Sequence, residues 1–245
     1  MPTIYLSPST QEFNEYNGGG NEEYYMNLLA DAMIPYLNAS GIQYVRNTPD
    51  MTAASSIAQS NAGNYDFHLA LHSNAVGEAA PGSVRGVEVY YYPRSTQGKR
   101  AADIIAENYS LIYPISGAVN TVPTERLGEV VRTKAPAVLI ETAYHDNAED
   151  AQWIRDNIDN IAQNLVYSLT EYFGIPFVMP SPARVGYVST MGSNLNIRNL
   201  PSTSSYIKTK IPNETAVTIY GEIPGWYVVG YNGITGYAKA EYIRI

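Results

Sequence analysis

The sequence predicts an α/β fold, a mostly parallel sheet flanked by helices, followed by a small all-β barrel. Two observations carry this. Over the first 173 residues, short apolar runs alternate with segments of helical periodicity, the pattern of strand–helix–strand units around a parallel sheet. Beyond them the helical period vanishes and short β-prone runs with turn residues take over, among them an Asn232-Gly233 pair between apolar runs, a strong hairpin signal.

The elements follow in order. "TIYL" (3–6) reads as a strand. In "NEEYYMNLLADAMIPYLNASG" (21–41), Met26, Leu29, Met33 and Leu37 recur at spacings of three and four, with Asn21 placed to cap the helix and Gly41 to stop it. "IQYVRN" (42–47) is a strand and 52–64 a helix rich in small residues. "DFHLALH" (66–72) and "GVEVYYYP" (86–93) are strands, and 97–113 a helix. "APAVLIETAY" (135–144) is a buried strand, and 150–174 a long final helix. Three prolines without periodicity mark a linker at 176–184. The expected division is therefore a domain over 1–175, the linker, and a β domain over 185–245.

Composition narrows the function. The net charge of −8 argues against nucleic acid, whose binders show a basic face, and against anionic membranes. No stretch approaches the roughly 18 apolar residues of a membrane span, and "MPTIYLSPS" lacks the basic and apolar regions of a signal peptide. With no cysteine among 245 residues, disulfides, thiolate metal sites and cysteine nucleophiles are excluded. The 22 tyrosines against 4 phenylalanines suit wet surfaces that bind sugars or peptides.

Only three histidines are present, and one, His72, ends an apolar strand in "LALHSNA" (69–75). Ligands of open α/β sheets bind beyond the carboxyl ends of the strands, so His72 is a site candidate beside the reading of a structural histidine. His68, four residues earlier, would lie about 13 Å from it along a strand and cannot share an ion with it; it reads as structural. Glu141 ends a second apolar strand, where a carboxylate needs a partner or a metal. Glu22 and Glu23 open the first helix, where a carboxylate also serves the helix dipole.

In this order the motifs resemble the zinc-dependent N-acetylmuramoyl-L-alanine amidases of the family 3 type. That family shows a Glu followed four residues later by Asn-Leu, here Glu23 with Asn27-Leu28; a strand ending "IHAN", here "LHSN" (71–74); and "PAVLVETGF…N…D", here "PAVLIETAYHDNAED" (136–150). The resemblance covers roughly residues 3–173. It implies Zn2+ as cofactor, Glu23 and His72 as ligands, and Glu141 as general base. The bond cut would join N-acetylmuramic acid to L-alanine of the peptidoglycan stem peptide. The family's first loop, "DPGHGG", carries a further histidine ligand; here the loop reads "SPSTQEFNEYNGGG" (7–20) without one. Gln11, or His145 from the loop after Glu141, is the expected replacement, with Glu12, water or a lost site as alternatives. Asn74 and Arg126, with Glu129 and Arg132, are candidates for lining a substrate groove; "TERLGEVVRTKAP" (124–136) also reads as a solvated charged hairpin.

The C-terminal segment resembles a bacterial Src-homology-3-type domain through "LNIRNLPSTSS" (195–205) and "GWYVVGYNGITGYAKAEYI" (225–243). Such modules bind peptidoglycan, and Tyr220, Trp226, Tyr231 and Tyr237 are candidates for the binding face. The resulting expectation is a peptidoglycan hydrolase of endolysin or autolysin type acting at the bacterial cell wall, with no nucleic-acid or membrane partner. Lacking a signal peptide, it would reach the wall by phage-type release or have had its signal trimmed. The alternative is a non-catalytic wall-binding protein whose amidase fold has lost its metal.

Overall fold

Apolar runs flanked by turns pair into one sheet because each buries both faces. The computed structural model of the chain describes residues 1–77 and 80–245. Its elements begin β1 (Thr3–Pro8), α1 (Glu22–Ser40), β2 (Gln43–Arg46), α2 (Ala53–Ala62), β3 (Phe67–Asn74), β4 (Val87–Tyr91) and α3 (Thr96–Tyr109). They continue with β5 (Val119–Pro123), α4 (Gly128–Val131), β6 (Ala137–Tyr144) and α5 (Ala148–Phe173). The strands form a six-stranded sheet in the order β2-β1-β3-β6-β4-β5. The pairs β1–β3, β3–β6 and β4–β5 are parallel, and β4 runs antiparallel to β6.

The central strands carry the core. Ile4, Leu6, Phe67, Leu69, Leu71, Val138 and Ile140 are all fully buried. Burial of both faces is what a continuous apolar run requires, and it is why these strands showed no alternation. On α1 the spaced residues Met26, Leu29, Met33 and Leu37 are buried. Its ends obey the local signals: Asn21 Oδ1 accepts from the Tyr24 amide at 2.8 Å, and Gly41 takes a φ of 77° with the following Ile42 amide bonded back to Leu37 O at 2.8 Å. Asn147 caps α5, its Oδ1 accepting from the amides of Glu149 and Asp150 at 3.0 and 3.1 Å.

Two elements of the N-terminal α/β part went unforeseen. Strand β5 is short, and α4 is a single helical turn of four residues, too little chain to show a period. The turn replaces the charged hairpin expected there: Glu129 and Val130 are buried, and α4 packs on both α2 and β6.

The C-terminal strands are β7 (Arg184–Val188), β8 (Leu195–Arg198), β9 (Ile207–Ile211), β10 (Ala216–Ile223), β11 (Trp226–Tyr231), β12 (Ile234–Lys239) and β13 (Ile243–Arg244). They form one sheet in the order β13-β7-β10-β11-β12-β8-β9, all pairs antiparallel. Asn232 and Gly233 turn β11 into β12 with φ of 48° and 74°, the two positive values a type I′ hairpin needs. Val188, Ile197, Ile211, Ile219, Val229 and Ala238 fill the interior. Contacts divide the chain into two compact units, 3–33 with 44–172, and 1–2 and 34–43 with 173–245. Among the described residues no helix is long and apolar enough to cross a membrane.

Candidate active site

The parallel register decides which side chains meet. His72 on β3 pairs with Glu141 on β6, and Glu141 pairs with Glu88 on β4. Directly paired residues project from the same face of a sheet. The imidazole and two carboxylates therefore stand in a row across three strands, at the carboxyl ends of β3 and β6. Directly beyond this row β6 carries one extra residue relative to β3, so the strand ends splay.

His72 is buried and engaged at both ring nitrogens. Nδ1 lies 2.8 Å from Glu22 Oε1, and Nε2 lies 3.0 Å from Glu129 Oε2. Burial opposes a charge on the ring, but the two carboxylates prevail and raise its pKa well above the usual histidine value. Glu22, the first residue of α1, is 1% exposed. Its Oε1 also accepts from the Ser73 amide at 3.3 Å and its Oε2 from Asn14 Nδ2 at 2.6 Å. Burial works against its ionisation; the bonds from His72 and Asn14 outweigh it and hold the pKa low.

Glu141 differs. Its Oε2 is buried with no hydrogen-bond partner among the described residues. Burial, reinforced by the negative charges of Glu22, Glu88 and Glu129 and only partly opposed by His72, pushes its pKa up to about 7. A carboxylate with a free buried oxygen and a pKa near neutrality is suited to moving protons at neutral pH.

The other expected residues fall as follows. Glu22, not Glu23, reaches His72; Glu23 is half-buried on the next position of α1, and successive helical residues point about 100° apart. Asn27, whose spacing selected Glu23, bonds Arg46 and the Glu23 carbonyl. Gln11 does approach the site: its Nε2 lies 3.4 Å from His72 Nδ1, while its Oε1 faces Asn14 Nδ2 at 3.3 Å. His145 does not. Its Nδ1 bonds the Ser73 carbonyl at 2.8 Å, its ring stacks on Tyr16 at 5.1 Å, and burial lowers its pKa. Asn74 donates to Glu88 Oε2 at 2.9 Å. Arg126 is exposed. A cavity of about 380 Å³ opens onto His72, lined by Thr10, Gln11, Phe13, Leu127 and Glu129, and Arg126 is not among its lining residues. Glu129 is the residue sequence reasoning passed over in this role; the helical turn that buries it leaves no periodic trace in four residues.

The sequence profile of the N-acetylmuramoyl-L-alanine amidases (Amidase_3) matches residues 10–171. The chain belongs to that family. It is accordingly an amide hydrolase, and residues 193–244 match the bacterial SH3 domain. This amidase shows no match among curated proteins, but its fold recurs in solved structures. The amidase AmiC2 of Nostoc punctiforme is 18% identical, with a TM-score of 0.63 over 71% of this chain and 97% of that one. The catalytic domain of CwlV from Bacillus (Paenibacillus) polymyxa var. colistinus is 16% identical, TM-score 0.60, over 72% and 100%. The catalytic domain of the CD27L endolysin, which targets Clostridia difficile, is 21% identical, TM-score 0.58, over 70% and 98%.

The donors fit a zinc ion in kind. Imidazole nitrogen and carboxylate oxygen are its customary partners, and here Glu22 Oε1 and the Gln11 amide converge on one ring nitrogen of His72. No three His, Asp or Glu side chains among the described residues already stand in a metal-binding cluster; Gln11 turns Nε2 toward His72 and Oε1 toward Asn14, so its amide oxygen would serve as the weaker third donor only with the side-chain amide turned over.

The SH3 unit holds its own cavity of about 370 Å³, lined by Asn194, Asn196, Arg198, Trp226, Lys239 and Tyr242 among others. Lys239 Nζ sits 4.9 Å from the Trp226 ring centre. Of the four aromatic residues expected on a binding face, Tyr237 is fully buried against Trp226 and Val228 and belongs to the core; Trp226 faces the cavity.

Proposed function

We propose that the chain is a zinc-dependent peptidoglycan amidase that hydrolyses the amide between the lactyl group of N-acetylmuramic acid and L-alanine of the stem peptide. The observation that carries this is the pairing of His72, bonded through Nδ1 to Glu22, with the unpartnered Glu141 on the adjacent strand. Glu22, His72 and Gln11 would hold the metal. Zinc there would lower the pKa of a bound water toward 7 and polarise the scissile carbonyl. Glu141 takes the proton from the attacking water and delivers it to the departing amine. The hydroxyl ends on the carbonyl carbon, and the C–N bond breaks to a carboxylate and a free amino terminus. Asn74, held by Glu88 at 2.9 Å, would contact the stem peptide.

The SH3 unit anchors the enzyme to the same polymer, which raises the effective concentration of catalytic domain at its substrate. Its cavity, with Trp226 and two cationic side chains, suits a peptide carboxylate of the wall. The enzyme acts at the bacterial wall in a lytic role, of endolysin or autolysin type. The test is metal content of the purified chain together with release of new amino termini from purified cell walls. Stoichiometric zinc and amino-terminus release that stops on chelation support the reading. Wall binding without metal or release would instead leave a non-catalytic wall-binding protein.

A further inference from the structure

We infer that Glu129 is a positioning residue of this site, holding the proton of His72 on Nε2 so that Nδ1 faces the metal beside Glu22; this rests on the metal-dependent reading above. The two nitrogens of an imidazole diverge, so one ion next to His72 cannot also take both Glu22 and Glu129. On the Nδ1 side stands Glu22 Oε1 at 2.8 Å, with the Gln11 side-chain Nε2 at 3.4 Å. The Nε2 side carries a different carboxylate. Glu129 Oε2 occupies it at 3.0 Å, and Glu129 is itself only 6% exposed.

The carboxylate is clamped in turn. Its Oε1 accepts from the Ser7 hydroxyl and lies 3.4 Å from His68 Nε2. Ser7 is approached by Asn47 Nδ2 at 3.4 Å. His68 is held by Ser60 Oγ at 3.0 Å and by stacking on Tyr5 at 5.2 Å. A neutral imidazole carries one N–H, and the acceptor on one nitrogen decides which nitrogen keeps its lone pair for a metal. Glu129 thus fixes both ring orientation and tautomer. The same clamp explains why His68, too far down the strand to bind the ion, is a histidine: it faces Oε1 of the carboxylate that orients His72.

The experiment uses the full chain, measuring the zinc dissociation constant by chelator competition and the His72 protonation site by long-range 1H–15N correlation on zinc-loaded protein. In the wild type His72 is expected to carry its proton on Nε2. Glu129→Leu should weaken zinc binding about 10- to 100-fold, whereas Glu129→Gln, whose amide oxygen still accepts from Nε2–H, should largely restore it. Ser7→Ala, which loosens the clamp without touching His72, should weaken zinc several-fold and keeps the test alive if Glu129→Leu fails to fold. A wild-type His72 protonated on Nδ1, or a folded Glu129→Leu chain that binds zinc as tightly as wild type, overturns the assignment alone. Absence of zinc binding in the wild type overturns the metal-dependent reading and this assignment together.

Discussion

Replacing Glu141 with Gln should abolish hydrolysis and at the same time stabilise the protein, in a pH-dependent way. The Glu141 carboxyl is pushed from 4.5 up to about 7 by burial and neighbouring carboxylates. Because the folded pKa lies above the unfolded one, the charged form is what folding penalises. Below the unfolded value both states are protonated and the penalty is absent. It grows as pH rises from about 4.5 to about 7, and is constant beyond. The shift of roughly 2.5 units at 1.36 kcal/mol each gives about 3 kcal/mol as the ceiling, and the partial solvent access of the side chain lowers this to about 2 kcal/mol. For a chain of this size that corresponds to a rise in Tm of roughly 4–8 °C. The assay is thermal and urea unfolding of the two metal-free chains at about pH 8 and about pH 5, beside amino-terminus release from walls. Glu141→Gln should be the more stable chain at about pH 8, with the advantage falling below about 1 kcal/mol at about pH 5, and its kcat/KM should drop at least about 100-fold. Equal stability at about pH 8, or an advantage that does not depend on pH, refutes the buried-base reasoning; retained hydrolysis refutes the catalytic role.

The neighbouring acids at the start of α1 separate cleanly: Glu22→Gln should weaken zinc at least about tenfold, Glu23→Gln less than about twofold, read by chelator competition. Asp150 is fully buried and accepts from Arg85 Nε at 2.7 Å, Tyr113 Oη at 2.8 Å, and the amides of Gly86 and Tyr144 at 3.2 Å. Asp150→Ala strands these donors and should cost about 3–5 kcal/mol, lowering Tm by roughly 10 °C in a thermal melt. In the SH3 unit, Lys239→Glu should reduce retention on purified walls in a pull-down several-fold while leaving hydrolysis of a soluble muropeptide unchanged.

Local chemistry was enough for much of this molecule. The strand ends at His72 and Glu141 were legible because a buried strand tolerates a polar residue only where it emerges, and a run of apolar residues says where that is. Asn21, Gly41 and Asn232-Gly233 were legible because caps and tight turns depend on the dihedral and hydrogen-bonding preferences of one or two residues. The partner of His72 was not. Glu22 and Glu23 are chemically identical neighbours, and only the pitch of α1 against β3 decides which one turns inward.

The sequence by itself determined the α/β order, the hairpins of the barrel, and the strands that end in an imidazole and in a carboxylate, since each of these rests on contacts close along the chain. Only the tertiary structure decided that Glu22 rather than Glu23 meets His72, that His145 turns to Ser73, and that Glu129 is buried instead of solvated. Those outcomes join residues 50 to more than 100 positions apart. They are set by the register of β3 on β6 and by the packing of one helical turn, neither of which leaves a local pattern to read.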